Sequence, residues 1–174
     1  LRRVLRRRSR ARSGTVPDPV GRSADLAAKR NRKMKITLAG TGVTPGDVSL
    51  RAIEAADGAT VIVKTALSEN GIALTKRFPD AITLDDVYRR SRNFDTLNKN
   101  LAAEVLKYAR ENPVVYYVDG NPADDVSCRM IMQKRKDTEV IPGVSKAAAC
   151  LSALGIGGKY TAVSAYDLSE DSDI

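Results

Sequence analysis

Three short stretches hold the residues best able to meet a ligand. The first runs Gly40-Thr41-Gly42-Val43-Thr44-Pro45-Gly46-Asp47. The second is Asp119-Gly120-Asn121-Pro122, with Asp124 close behind. The third is Pro142-Gly143-Val144-Ser145-Lys146. Glycine lets the backbone come close to a ligand, and bare amides and carbonyls can bond an adenine or a carboxylate without side chains. The chain has no histidine, which excludes a zinc site built on histidine and a histidine-based triad. Cys128 and Cys150 lack metal-ligand spacing and read as reduced structural thiols of a cytosolic protein.

The first stretch fails two tests for a nucleotide loop. It lacks the Gly-Lys-Ser/Thr ending of a Walker A loop. A dinucleotide fingerprint needs G-x-G-x-x-G, and Gly40-x-Gly42-x-x-x-Gly46 is one residue too long. That fingerprint also expects an acid at the end of the second strand, where this chain has Val63-Lys64-Thr65. An NAD(P)-binding α/β domain is the weaker alternative on these grounds.

The elements that must position these loops alternate. Strands are expected at Lys35–Ala39, Ala59–Val63, Ala81–Leu84, Val114–Val118 and Glu139–Ile141, with a last one at Thr161–Ser164. Helices are expected at Ser49–Ala56, Ala66–Phe78 (weakened by Asn70-Gly71), Val126–Lys134 and Ser145–Leu154. The clearest helix carries Leu97, Leu101, Val105 and Ala109 at helical spacing, with Asp95 as its expected N-cap and Asn112-Pro113 as its end. This alternation predicts an α/β fold with a mostly parallel sheet and flanking helices. The ligand crevice of such a sheet lies beyond the carboxyl ends of its strands, where all three loops emerge.

In order and spacing, "AGTGVTPGD", "VVYYVDGNP" and "VIPGVSKAAACLSALGI" resemble the tetrapyrrole (corrin/porphyrin) methylase family. The family's G-x-G-P-G-D is interrupted here by Val43-Thr44, and its Gly-Asp-Pro is Gly120-Asn121-Pro122. "TLDDVYRRSRNFDTLN" resembles the branch whose methylase-like domain precedes a MazG-type pyrophosphohydrolase. The resemblance implies a two-lobed α/β fold and an S-adenosylmethionine-dependent methyltransferase whose methyl acceptor the sequence does not name. A non-catalytic ligand- or partner-binding module of the same fold is the alternative. The resemblance also implies that Pro45 lines the cofactor pocket, that Asp119, Gly120 and Asn121 face it, that Asp124 flanks it, and that Ser145 and Lys146 lie on its adenosine side. It divides the chain into a leader (1–33), a first lobe (34–145) and the start of a second lobe (146–174). It thereby leads to an expectation of exposed apolar surface and a possible homodimer.

Several residues keep two readings. Asp47 either faces substrate or serves as a turn or N-cap residue for the helix that follows. Of Tyr116 and Tyr117, which alternate on a strand, one is expected in the core and one near the cleft. Arg89-Arg90-Ser91-Arg92 either binds an acidic substrate or forms a solvated loop.

Charge narrows the partners. The formal net charge of +8 is concentrated in residues 1–33, which hold 12 of the 29 basic side chains and two of the 21 acidic ones. That leader is expected to be disordered. It reads as sequence upstream of a start at Met34, as a basic arm for nucleic acid or anionic surfaces, or as an organelle transit segment. Nucleic-acid binding rests on it alone. No apolar run reaches the length of a membrane span.

Overall fold

A computed structural model of the chain describes residues 35–161. Its elements are β1 (Ile36–Gly40), a 3-10 turn (Pro45–Asp47), α1 (Leu50–Glu54), β2 (Thr60–Val63), α2 (Glu69–Arg77), β3 (Ile82–Thr83), α3 (Asp85–Arg90), α4 (Phe94–Tyr108), β4 (Val114–Val118), α5 (Val126–Lys134), β5 (Glu139–Ile141) and α6 (Lys146–Ala153). All strand pairs are parallel, in the order β3-β2-β4-β1-β5. The basic leader and most of the expected last strand lie outside the described residues.

The period of two along each strand sorts side chains onto two faces. Ile36, Leu38, Ile62, Val114, Tyr116 and Val118 form one core with Leu97, Leu101 and Val105 of α4 and with Cys128 and Ile131 of α5. Ala39, Val63, Val115, Tyr117 and Ile141 form the other with Ala52 of α1 and Leu74 of α2. The central strand β4 is therefore apolar at every position, as a strand covered on both faces must be.

Several expectations need correction. Tyr116 and Tyr117 are both buried and neither reaches a cleft. Tyr116 Oη lies 3.2 Å from Ser127 Oγ, and Tyr117 Oη donates to the Ala52 carbonyl at 2.5 Å. Burying both rings satisfies the two sheet faces, and each hydroxyl finds a partner in the helix above it. The N-cap of α4 is Asn93, whose Oδ1 accepts from Thr96 N at 2.8 Å, so Asp95 lies within the first turn. Arg89 and Arg90 end helix α3 instead of forming a loop, where they pair with Asp86 and Glu104. Asn70-Gly71 does not weaken α2. A β-carbon on Gly71 would lie 1.9 Å from the Thr65 carbonyl oxygen, so glycine lets the helix start close against the preceding loop.

Among the described residues the expected exposed apolar surface is present around α6, which buries none of its side chains. Leu154 is 72% exposed and Tyr160 57%.

Candidate functional site

The glycine loops leave β1, β4 and β5, which are neighbours in the sheet, and their backbones meet at the carboxyl ends. Gly42 N donates to the Gly120 carbonyl at 3.2 Å, and Gly120 N returns to the Gly42 carbonyl at 2.8 Å. A β-carbon on Gly40 would sit 2.5 Å from both the Gly120 oxygen and the Gly143 nitrogen. Only glycine permits so close an approach. Gly120 itself has φ +76°, and a β-carbon there would meet nothing nearer than Lys146 Cγ at 3.7 Å and the Val144 carbonyl at 3.9 Å. Gly40 and Gly143 thus close a floor, and Gly120 lies against the start of α6, within ordinary contact of Lys146 and Val144.

Side chains lock this floor. Asp119 Oδ1 accepts from Thr41 Oγ1 at 3.3 Å and from Ser68 Oγ at 3.2 Å. Asn70 donates through Nδ2 to Thr41 Oγ1 at 2.9 Å and to the Gly42 carbonyl at 3.0 Å. Asn70 is only 2% exposed, and its Oδ1 has no hydrogen-bond partner. The β2 side carries a second network. Lys64 Nζ lies 2.5 Å from Asp125 Oδ2, and Asp125 Oδ1 accepts from Ser127 Oγ at 2.5 Å and Cys128 N at 3.0 Å. Thr65 Oγ1 and Ala66 N bond Asp85 at the start of α3.

Charge follows these contacts. Burial opposes the charge on Asp125, but the ammonium of Lys64 and the donors on α5 outweigh it and hold the carboxyl below its ordinary range. Burial likewise opposes the charge of Lys64, and Asp125 outweighs it, so the amine titrates above its usual value. Burial pushes the Cys128 thiol far up, which leaves it inert at neutral pH.

Residues 35–166 match the family described as tetrapyrrole (corrin/porphyrin) methylases. The chain belongs to the tetrapyrrole methylase family. Among solved structures, this methylase-family chain is similar to a precorrin-6Y methylase from Archaeoglobus fulgidus. They share 20% identity with a TM-score of 0.52, over 72% of this chain and 60% of that one. It is also similar to a uroporphyrin-III C-methyltransferase from Thermus thermophilus, at 23% identity, TM-score 0.50, 74% and 55% coverage. A diphthine synthase matches at 20% identity, TM-score 0.52, 71% and 49% coverage. These likenesses establish the fold. The chain spans roughly half to three fifths of the length of those structures. No curated protein matches it by sequence.

The methylase fold places the expected site residues unevenly. Asp119, Gly120 and Lys146 converge at the glycine floor. Asn121 closes the second loop, its Oδ1 accepting from Ala123 N at 3.1 Å and its carbonyl from Asp124 N at 3.0 Å. Asp124 is exposed. Ser145 spends its hydroxyl capping α6, accepting from Ala148 N at 3.1 Å. Pro45 is exposed in the 3-10 turn. Asp47 does not cap the helix that follows, since the N-cap of α1 is Ser49, and its carboxylate closes the turn instead. Its Oδ2 accepts from Thr44 N at 2.8 Å and Val43 N at 3.0 Å, and those amides hold the carboxyl below its usual range.

Sequence reasoning missed Thr41, Lys64, Ser68, Asn70, Asp85 and Asp125. Ser68 and Asp125 were findable as N-caps, each accepting from the amide three residues on. The others act across loops distant in sequence.

Two cavities lie elsewhere. One of about 530 Å³ opens at the opposite ends of the strands, between Lys35, Arg51, Asp57 and Glu139. One of about 310 Å³ lies between α6 and Gly157–Tyr160. Neither touches the glycine floor. Glu139, at the first, is occupied by ion pairs with Lys35 and Arg51.

Proposed function

We propose that this chain binds S-adenosylmethionine against the Gly40–Gly120–Gly143 floor and serves a methyltransferase. The observation that carries the reading is the meeting of the three glycine loops through backbone at the carboxyl ends of β1, β4 and β5, with Lys146 beside Gly120. The residues fit the cofactor. Gly120, at positive φ, presents bare backbone at the floor, which suits close backbone contact with an adenosine or an amino-acid end. Lys146, whose stem lies beside Gly120, adds a cation to that edge of the floor. When bound, S-adenosylmethionine supplies a methyl group activated on its sulfonium. This chain's part is orientation, which in the best intramolecular cases contributes on the order of 7–11 kcal/mol. Asp119, tied by Thr41 and Ser68, sets the entry of the second loop.

The acceptor is open. The similar structures are named for precorrin-6Y, uroporphyrin-III and diphthine, and a fold shared by all three does not choose among them. The Asp85–Phe94 pattern ahead of α4 supports kinship with the MazG-associated branch, and the free thiols of Cys128 and Cys150 suit a reducing compartment such as the cytoplasm. The NAD(P) alternative is disfavoured by the end of β2, where Lys64 is held by Asp125 in place of an acid free to bond a ribose.

Calorimetric titration of the full chain with S-adenosylmethionine, S-adenosylhomocysteine and NADH tests the reading. Micromolar binding of the two sulfur ligands and none of NADH is expected, with loss on Gly120→Val. Binding of NADH alone would overturn it.

A further inference from the structure

The loop that carries Gly120 and Asn121 is fixed at both ends by side chains from other parts of the sheet. At its start, Asp119 is held by Thr41 of the first loop and Ser68 ahead of α2. At its finish, Asp125 is held by Lys64 at the end of β2. The second attachment is the drier. The Asp125 side chain is 8% exposed and that of Lys64 22%. Asp125 also caps α5 through Cys128 N and takes the Ser127 hydroxyl, and Ser127 Oγ lies within hydrogen-bond distance of the buried Tyr116 hydroxyl. Lys64 therefore joins β2 to a chain of contacts ending in the core, and the loop between the two anchors has no other side-chain tie to β2 among those hydrogen bonds.

We propose that Lys64 is a positioning residue, a latch that holds the Asp119–Asp125 loop in the conformation that receives S-adenosylmethionine. The inference rests on the cofactor reading above. A buried ion pair contributes little net stability compared with an apolar replacement, whereas loss of one partner leaves the other unpaired and is destabilising. The value of the pair therefore lies in fixing geometry. Asp125 retains two donors when Lys64 is lost, so Lys64→Met is the milder single substitution. The double variant Lys64→Met/Asp125→Asn leaves no unpaired charge.

Two measurements on the full chain test the latch. Amide hydrogen exchange reads loop order without any ligand. Lys64→Met and the double variant are expected to lose protection selectively over residues 119–125, and Lys64→Arg to restore it. Calorimetry with S-adenosylmethionine reads the consequence, with an expected weakening of about tenfold or more in Kd for Lys64→Met, near-normal binding for Lys64→Arg, and no change for the exposed-pair control Arg51→Ala. Protection lost evenly across β1, β4 and the loop would overturn the latch, as would wild-type affinity in the double variant. If the wild-type chain itself fails to bind S-adenosylmethionine, it is the cofactor reading that has failed, and the exchange result alone decides for or against the latch.

Discussion

A β-carbon on Gly143 would lie 2.3 Å from the carbonyl oxygen of Gly120. At Gly143 the neighbouring atoms are all backbone, so Gly143→Ala must push the loops apart. Overpacking of this kind costs about 1–3 kcal/mol, and here it acts on the floor itself. Urea unfolding is expected to show that loss together with weakened S-adenosylmethionine binding. Gly46→Ala is the control. Its β-carbon would meet only Thr44 Oγ1 at 3.7 Å, and both stability and binding should stay near wild type.

Asn70 gives a second prediction. Its amide nitrogen donates two bonds to the first loop. Asn70→Asp keeps the shape but turns an acceptor toward the Gly42 carbonyl. An unsatisfied buried group costs about 1–3 kcal/mol, more when charged. The melting temperature is expected to fall by several degrees, and to recover partly at acid pH where the new carboxyl is protonated. A melting temperature equal to wild type at neutral pH would show that the Asn70 bonds do not hold the loop.

Leu101 and Leu154 separate core from surface. Leu101 is fully buried on α4, and Leu154 is 72% exposed. Leu101→Ala should cost about 2–5 kcal/mol. Leu154→Ala should leave stability nearly unchanged. It should instead weaken any self-association seen by sedimentation, because α6 has no buried residue of its own.

Alkaline pH should unfold the chain cooperatively. Burial raises the Tyr117 phenol to about 12 and lifts that of Tyr116 well above its ordinary value. The unfolded chain, with tyrosines near an ordinary value of about 10, gives up these protons first. Stability tied to the neutral phenols is therefore complete below about pH 10 and drains away as the pH rises toward the folded values. Lys64 acts in the same direction, since its folded value also lies above the ordinary one. Exposed tyrosines such as Tyr160 ionise with the fold intact, whereas the remaining phenolate absorbance should rise in step with loss of circular dichroism. Ionisation of all six tyrosines with the fold intact would contradict the burial of both rings.

Much of this was legible in the sequence because it depends on local signals. Val114–Val118 announced a strand, and Leu97, Leu101, Val105 and Ala109 lie buried along α4 and at its C-cap, as their spacing required. Gly40, Gly120 and Gly143 marked loops that now meet. What the sequence concealed depends on distance. α3 has one buried residue, Val87, too few to leave a period. Lys64 and Asp125 are 61 residues apart, and nothing local joins them. Tyr116 and Tyr117 looked divided between core and cleft because alternation says only that they face opposite ways. That both faces are covered is a property of the sheet's neighbours.

The central claim is that the glycine floor is the cofactor site, and amide chemical-shift mapping tests it most directly. With isotope-labelled full chain and S-adenosylhomocysteine, the account expects the largest shifts at Gly42, Gly120, Gly143 and Lys146. Shifts concentrated instead at Lys35, Arg51 and Glu139, around the cavity at the opposite ends of the strands, would contradict it.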